Sequence, residues 1–104
     1  MAKTYTSCPV EYTASIISNK WKVLILRDLI DGTKRYNELN RSVVGISAKV
    51  LTQNLKDLES DGIIIRKVYP VVPPKVEYSL SKKGMELKGV LDIMKEFGLK
   101  YKGE

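Results

Sequence analysis

The spacing of apolar residues changes once along this chain, and the change falls at Gly62. Before it, the spacing is helical. Val10, Ala14 and Ile17 stand at i, i+4 and i+7. Cys8-Pro9 predicts the start of this first helix, because proline suits the first turn. Ser18-Asn19 interrupts the pattern. A second helix is expected from about Lys20 to Asp31, with Trp21, Leu24, Ile25 and Leu29 as its inner stripe. Val23, Leu26 and Ile30 widen that stripe, so most of the helix should be buried. Gly32 is a natural stop. Asn37 is the expected N-cap of a short third helix through Leu39 to Ser42, with Val43-Val44-Gly45 as the turn that follows. Ser47 should cap a fourth helix, with Ile46 and Leu51 packed across the cap and Leu51, Leu55 and Leu58 facing the core.

After Gly62 the period becomes two. Val76, Tyr78 and Leu80 alternate with Lys75, Glu77 and Ser79, which predicts a strand with one buried face. Ile63 to Tyr69 is rich in strand-forming residues. Pro70, Pro73 and Pro74 stiffen the tip between them and remove backbone donors. The expectation is a hairpin of Ile63–Tyr69 and Lys75–Leu80 with a rigid protruding loop. Ser81 should then cap a fifth and last helix carrying Leu87, Val90, Leu91, Met94, Phe97 and Tyr101. Two short helices around a turn, followed by a stiff hairpin, form the layout of a winged helix-turn-helix. The expected class is therefore mainly α with a small β-hairpin, with further helices at the N- and C-terminal ends. One domain over residues 8–104 and an N-terminal arm over 1–7 complete the organisation.

Charge sharpens the picture. Lys and Arg number 18 against 12 Asp and Glu, a net +6, which favours a polyanionic partner. There is no histidine and a single cysteine, so an intrachain disulfide, a cysteine zinc site and a histidine base are all excluded. No Gly-rich phosphate loop is present, and no catalytic constellation can be assembled. Neither an enzyme nor a cofactor is expected. No apolar run could span a bilayer, and Met1-Ala2-Lys3-Thr4-Tyr5 lacks the apolar core of a secretory signal, so a cytoplasmic location without a membrane partner is expected.

At 100° per residue from Leu51, Lys49, Gln53, Lys56 and Ser60 fall opposite the leucines, with Thr52 on the flank. Lysine can neutralise phosphate or donate to guanine, glutamine can bond adenine on two edges, and threonine can meet a thymine methyl. The plainer reading of such a face is a solvated helix surface. The short helix before it and the hairpin after it favour DNA. Lys34 and Arg35, ahead of the third helix, suit phosphates, as does Lys75 at the wing; ordinary loop solubility would explain them equally well. Arg66 and Lys67 could serve either surface.

Five ordered blocks give a further reading. They are Cys8-Pro9-Val10; Lys20-Trp21-Lys22-Val23-Leu24-Ile25-Leu26; Arg35-Tyr36-Asn37-Glu38-Leu39; Gly45-Ile46-Ser47-Ala48-Lys49-Val50-Leu51-Thr52 with Leu58-Glu59-Ser60-Asp61-Gly62; and Val72-Pro73-Pro74-Lys75-Val76-Glu77-Tyr78. Together they resemble the HxlR-type transcriptional regulators, relatives of the MarR group. That resemblance implies a homodimeric winged-helix protein that binds double-stranded DNA, its fourth helix in the major groove and its wing on the backbone or minor groove. By residue match it places Ser47, Lys49, Thr52, Gln53 and Lys56 on the recognition helix and Arg35 on the turn before the third helix. Asn19 stands where the family often has glycine, and asparagine tolerates a left-handed turn. Asn54 stands where arginine is frequent, a change expected to weaken backbone contacts. Val71 replaces a common acidic residue and leaves the tip less negative.

A domain this small cannot easily cover the whole stripe of the last helix. Met94, Phe97 and Tyr101, with Val10, Ala14 and Ile17 of the first helix, are therefore the expected dimer contacts; packing within one chain is the alternative. A two-fold dimer would read a palindromic site. Cys8 stands at a helix N-terminus, where partial positive charge favours a reactive thiol, and some members of the resembled family sense oxidants with a cysteine there. The alternative is a buried, inert residue. No signature identifies a small-molecule effector. The competing functional class is a DNA-binding architectural protein without sequence preference, and behind it an interaction module without a DNA role.

Overall fold

The structure, a computed structural model, describes residues 7–103. The expected arm, Lys3 included, lies outside the described residues except for Ser7, as does Glu104. The chain runs α1 (Pro9–Ile16), α2 (Lys20–Ile30), β1 (Lys34–Arg35), α3 (Tyr36–Ser42), α4 (Ala48–Ser60), β2 (Ile64–Tyr69), β3 (Lys75–Leu80), α5 (Lys82–Met85) and α6 (Lys88–Tyr101). It is a winged helix-turn-helix: mainly helical, with a small antiparallel sheet in the order β1-β3-β2. No helix among the described residues is long and apolar enough to cross a membrane.

The core is built from the predicted stripes. Ile25, Leu26 and Leu29 of α2, Leu39 of α3, and Leu51, Leu55 and Leu58 of α4 are buried with Ile63, Ile64 and Tyr78 at the base of the sheet. Burying a side chain of this size contributes roughly 1.5–3 kcal/mol. Ile46 is also buried, which fits its predicted place beside Leu51 at the start of α4. The Ser47 hydroxyl accepts from the Val50 N–H at 3.2 Å, the expected cap. Gly45 and Gly62 take φ of +89° and +74°, which closes the turns before and after α4 at no steric cost.

The wing pairs as expected, from Ile64 opposite Leu80 to Tyr69 opposite Lys75. A third strand joins it, since Lys34 and Arg35 pair with Tyr78 and Glu77. Two residues carry too little pattern to register as a strand, so this one was missed.

Four expectations are corrected. The cap of α3 is Arg35, not Asn37: the Glu38 carboxylate accepts from the Arg35 N–H at 2.7 Å, so the helix starts at Tyr36. Asn19 is extended (φ −146°), not left-handed, and its side chain caps α2 by accepting from the Lys22 N–H. The expected fifth helix is two helices, interrupted at Glu86-Leu87, with Ser81 capping only the short α5, where Gly84 is buried closely against the Ile63 carbonyl. In α1 the buried residue is Ile16, while Val10 and Ala14 are exposed and Ile17 is the half-buried C-cap.

Candidate nucleic-acid interface

The outer face of α4 is held from both sides. Lys49, Thr52, Gln53, Lys56 and Ser60 are all exposed on it, and Ser47 is exposed at its start. On one flank the Tyr36 hydroxyl donates to the Ala48 carbonyl at 3.0 Å and lies 3.1 Å from Thr52 Oγ1. That contact ties the exposed Thr52 hydroxyl to α3. On the same flank a notch of about 270 Å³ separates α4 from the sheet, lined by Thr52, Leu55, Lys56, Glu59, Arg66 and Tyr78. Lys56 and Arg66 thus bring positive charge to the seam between helix and wing.

The other flank rests on α2. Asn54, expected to face a DNA backbone weakly, is instead buried. Its Nδ2 donates to the Val50 carbonyl at 2.8 Å, and its Oδ1 accepts from Asn19 Nδ2 at 3.1 Å. Two of the three residues singled out as departures from the resembled pattern, Asn19 and Asn54, therefore meet each other. Beside them Lys22 is buried, with its ammonium 3.4 Å from both Asp57 Oδ2 and Ser18 Oγ. Asp57 Oδ1 in turn accepts from Gln53 Nε2 at 3.0 Å. Sequence reasoning missed Tyr36, Lys22 and Asp57. The i,i+4 spacing of Gln53 and Asp57 was a legible signal; a lysine buried inside an apolar helix was not, because lysine is rarely buried unless paired.

Ahead of α3 an open cleft of about 460 Å³ is lined by Thr33, Lys34, Arg35, Asn37, Glu38, Arg41 and Glu77. Arg35 is exposed at its edge, where a phosphate could approach. Lys75 is placed differently. Its ammonium sits 3.4 Å from Glu77 Oε2 and 4.7 Å from the Tyr69 ring centroid, and Lys67 approaches the same ring at 4.9 Å. The Tyr69 hydroxyl donates to Glu77 at 2.9 Å, and this bond is the main cause that holds the Glu77 carboxyl below the ordinary glutamate range. Partial burial opposes it, while Lys75 and Arg35 assist. Lys75 is thus half-engaged within the wing, and the outermost tip side chain is Val72, fully exposed.

The dimer candidates fall into two groups. Val10, Ala14, Met94, Phe97 and Tyr101 are exposed, and Phe97 stacks on Tyr101 with ring centroids 5.0 Å apart. Ile17 is half-buried against the core. Cys8 is exposed at the start of α1.

A family described as HxlR-like helix-turn-helix matches residues 16–104. The HTH-type transcriptional regulator YdeP of Bacillus subtilis (strain 168) is 50% identical over 98 residues, which is 94% of this chain and 77% of that protein. The redox regulator HypR in its oxidised form superimposes with a TM-score of 0.87 at 45% identity, covering 93% of this chain and all of that one. The reduced form of the transcriptional regulator YodB from B. subtilis follows the fold with a TM-score of 0.81 at 35% identity, over 95% of this chain and all of that one.

Proposed function

Because the chain belongs to the HxlR-like helix-turn-helix family of transcriptional regulators, we propose that it is a sequence-specific DNA-binding regulator acting as a homodimer on a palindromic operator. The observation that carries this reading is the face of α4, which is exposed, basic and amide-bearing, and braced on both sides. Gln53 reads a base edge in the major groove, and Lys49, Lys56, Thr52 and Ser47 complete the contact with bases and phosphates. Arg35 takes a phosphate beside it. Lys75 offers a phosphate or minor-groove contact from the wing. The single folded unit over residues 8–104 is one DNA-binding domain. The chain works among nucleic acid in the cytoplasm, with no enzymatic step and no cofactor.

Assembly follows from the exposed apolar side chains of α1 and α6. Val10, Ala14 and Ile17 meet Met94, Phe97 and Tyr101 across the two-fold axis. Two α4 helices would then fall on half-sites about one helical turn (~10 bp) or more apart. Cys8, exposed at the start of α1, makes this arrangement responsive to oxidants, and the likeness to the redox regulator HypR supports that. Selection of bound sequences from random duplex DNA tests the reading. The expected result is a two-fold symmetric consensus. A pool with no enriched sequence would favour the architectural alternative.

A further inference from the structure

We infer that Asp57 is a positioning residue for base recognition, clamped from behind by the buried Lys22, and that the amide it holds is set to read adenine. The inference rests on the proposal that Gln53 contacts a base, and it adds what fixes that contact.

Glutamine is a flexible reader. Its amide must stop rotating before it can discriminate, and the entropy of that ordering counts against binding. Here one N–H of the Gln53 amide is already committed, because Nε2 donates to Asp57 Oδ1 at 3.0 Å. The carboxylate only accepts, so the opposite orientation, with the amide oxygen toward Asp57, is excluded by repulsion. What remains outward is the carbonyl oxygen and the second N–H. That is the acceptor–donor pair that matches the N6 amino group and N7 of adenine in the major groove.

A free carboxylate on a DNA-facing helix would repel phosphates. Asp57 is partly exposed, but Lys22 sits 3.4 Å from its second oxygen and is almost completely buried. Lysine in the first turn of a helix opposes the macrodipole, so Lys22 gains nothing from α2 itself and depends on this partner. The ammonium cannot swing into solvent to abandon the carboxylate, and Ser18 Oγ, also at 3.4 Å, limits its position further. The chain Lys22–Asp57–Gln53 therefore runs from the buried side of α2 to the reading face of α4. The Asn19–Asn54 bond lies beside it, and Asn19 also accepts from the Lys22 N–H, so the same pair holds the backbone from which Lys22 reaches Asp57.

The test measures discrimination, not affinity alone. The duplex recovered by selection is compared with three derivatives that carry the other base pairs at the position most sensitive to Gln53. Gln53→Ala should erase the preference for adenine there. The paired change K22M/D57A removes both charges together and frees the amide; it should reduce the preference about three- to tenfold. Adding K22M/D57A to Gln53→Ala should cost no further preference. Asp57→Asn, which keeps an oxygen acceptor, should retain more of the preference than Asp57→Ser, which cannot reach. A melting curve confirms folding of every variant, and K22M/D57S, which also removes both charges together, gives the same readout if the paired variant does not fold. Undiminished preference in K22M/D57A or K22M/D57S, with Gln53→Ala losing it, overturns the clamp and leaves the Gln53 reading standing. Undiminished preference in Gln53→Ala removes the reading, and the inference with it. A preferred base other than adenine overturns the assignment of the target.

Discussion

On the proposed reading, individual side chains at this surface divide into those that read and those that position. Gln53→Ala should cost about 1–3 kcal/mol on the preferred duplex and relax its sequence. Arg35→Ala should weaken every duplex alike and reduce the slope of log affinity against log salt by about one unit. Titrating both variants with preferred and scrambled duplexes at several salt concentrations separates the roles, and equal loss of preference in both would contradict the division. The wing holds a different kind of residue. Glu77 has its carboxyl held below the ordinary range first by the Tyr69 hydroxyl. A group lowered in the folded state contributes stability that is present at neutral pH, above its unfolded value, and lost as pH falls through the folded one. Tyr69→Phe should therefore move the Glu77 midpoint upward in a carboxyl NMR titration, and an unmoved midpoint would remove Tyr69 as the cause. The exposed face of α4 was legible because helical geometry alone assigns it. Its supports were not, since whether Lys22 is buried or Tyr36 reaches Thr52 depends on how two helices approach in space.

Whole elements were legible where their pattern was long. The second and fourth helices and the hairpin appear close to their expected limits, because each carries several turns or a full alternation. The errors fall where one residue outweighs a pattern. Gly84 shows why. A Cβ there would run into the carbonyl carbon and oxygen of Ile63, so α5 packs backbone against backbone at this point. Apolar spacing carries no sign of such an approach. Gly84→Ala should consequently destabilise the fold by about 1–3 kcal/mol, as overpacking does. Gly89→Ala on α6, where a Cβ meets nothing, should be neutral or stabilise by up to about 1 kcal/mol. Urea unfolding of the two variants checks the contrast, and equal stabilities would refute it. The same logic explains α3, whose start is set by the Glu38 bond to the Arg35 N–H and not by the asparagine at position 37.

At the scale of the molecule, the distribution of apolar surface argues for a partner copy. Leu87 and Leu91 pack against the core, but Ile93, Phe97, Leu99 and Tyr101 on the outer half of α6 are each more than 60% exposed. Val10 of α1 is more exposed still. Side chains of this size left in water forgo roughly 1.5–3 kcal/mol each, a sum that a two-fold contact would recover. Removing the chain from Ile93 onward should therefore give a monomer or an insoluble product with much weaker operator binding. Phe97→Glu makes the cleaner probe, because an exposed position tolerates charge in the monomer while a self-complementary interface would bury it twice. Sedimentation should show Phe97→Glu as a folded monomer, and operator affinity should fall because two half-sites can no longer be held at once. The same measurement addresses Cys8. If α1 belongs to the interface, mild oxidant should change operator affinity in the wild type and leave Cys8→Ser unchanged. Unaltered wild-type affinity, with modification of Cys8 confirmed by mass, would reduce the thiol to a residue at the start of α1. A truncated chain that sediments as a dimer and binds normally would place the two-fold contact elsewhere.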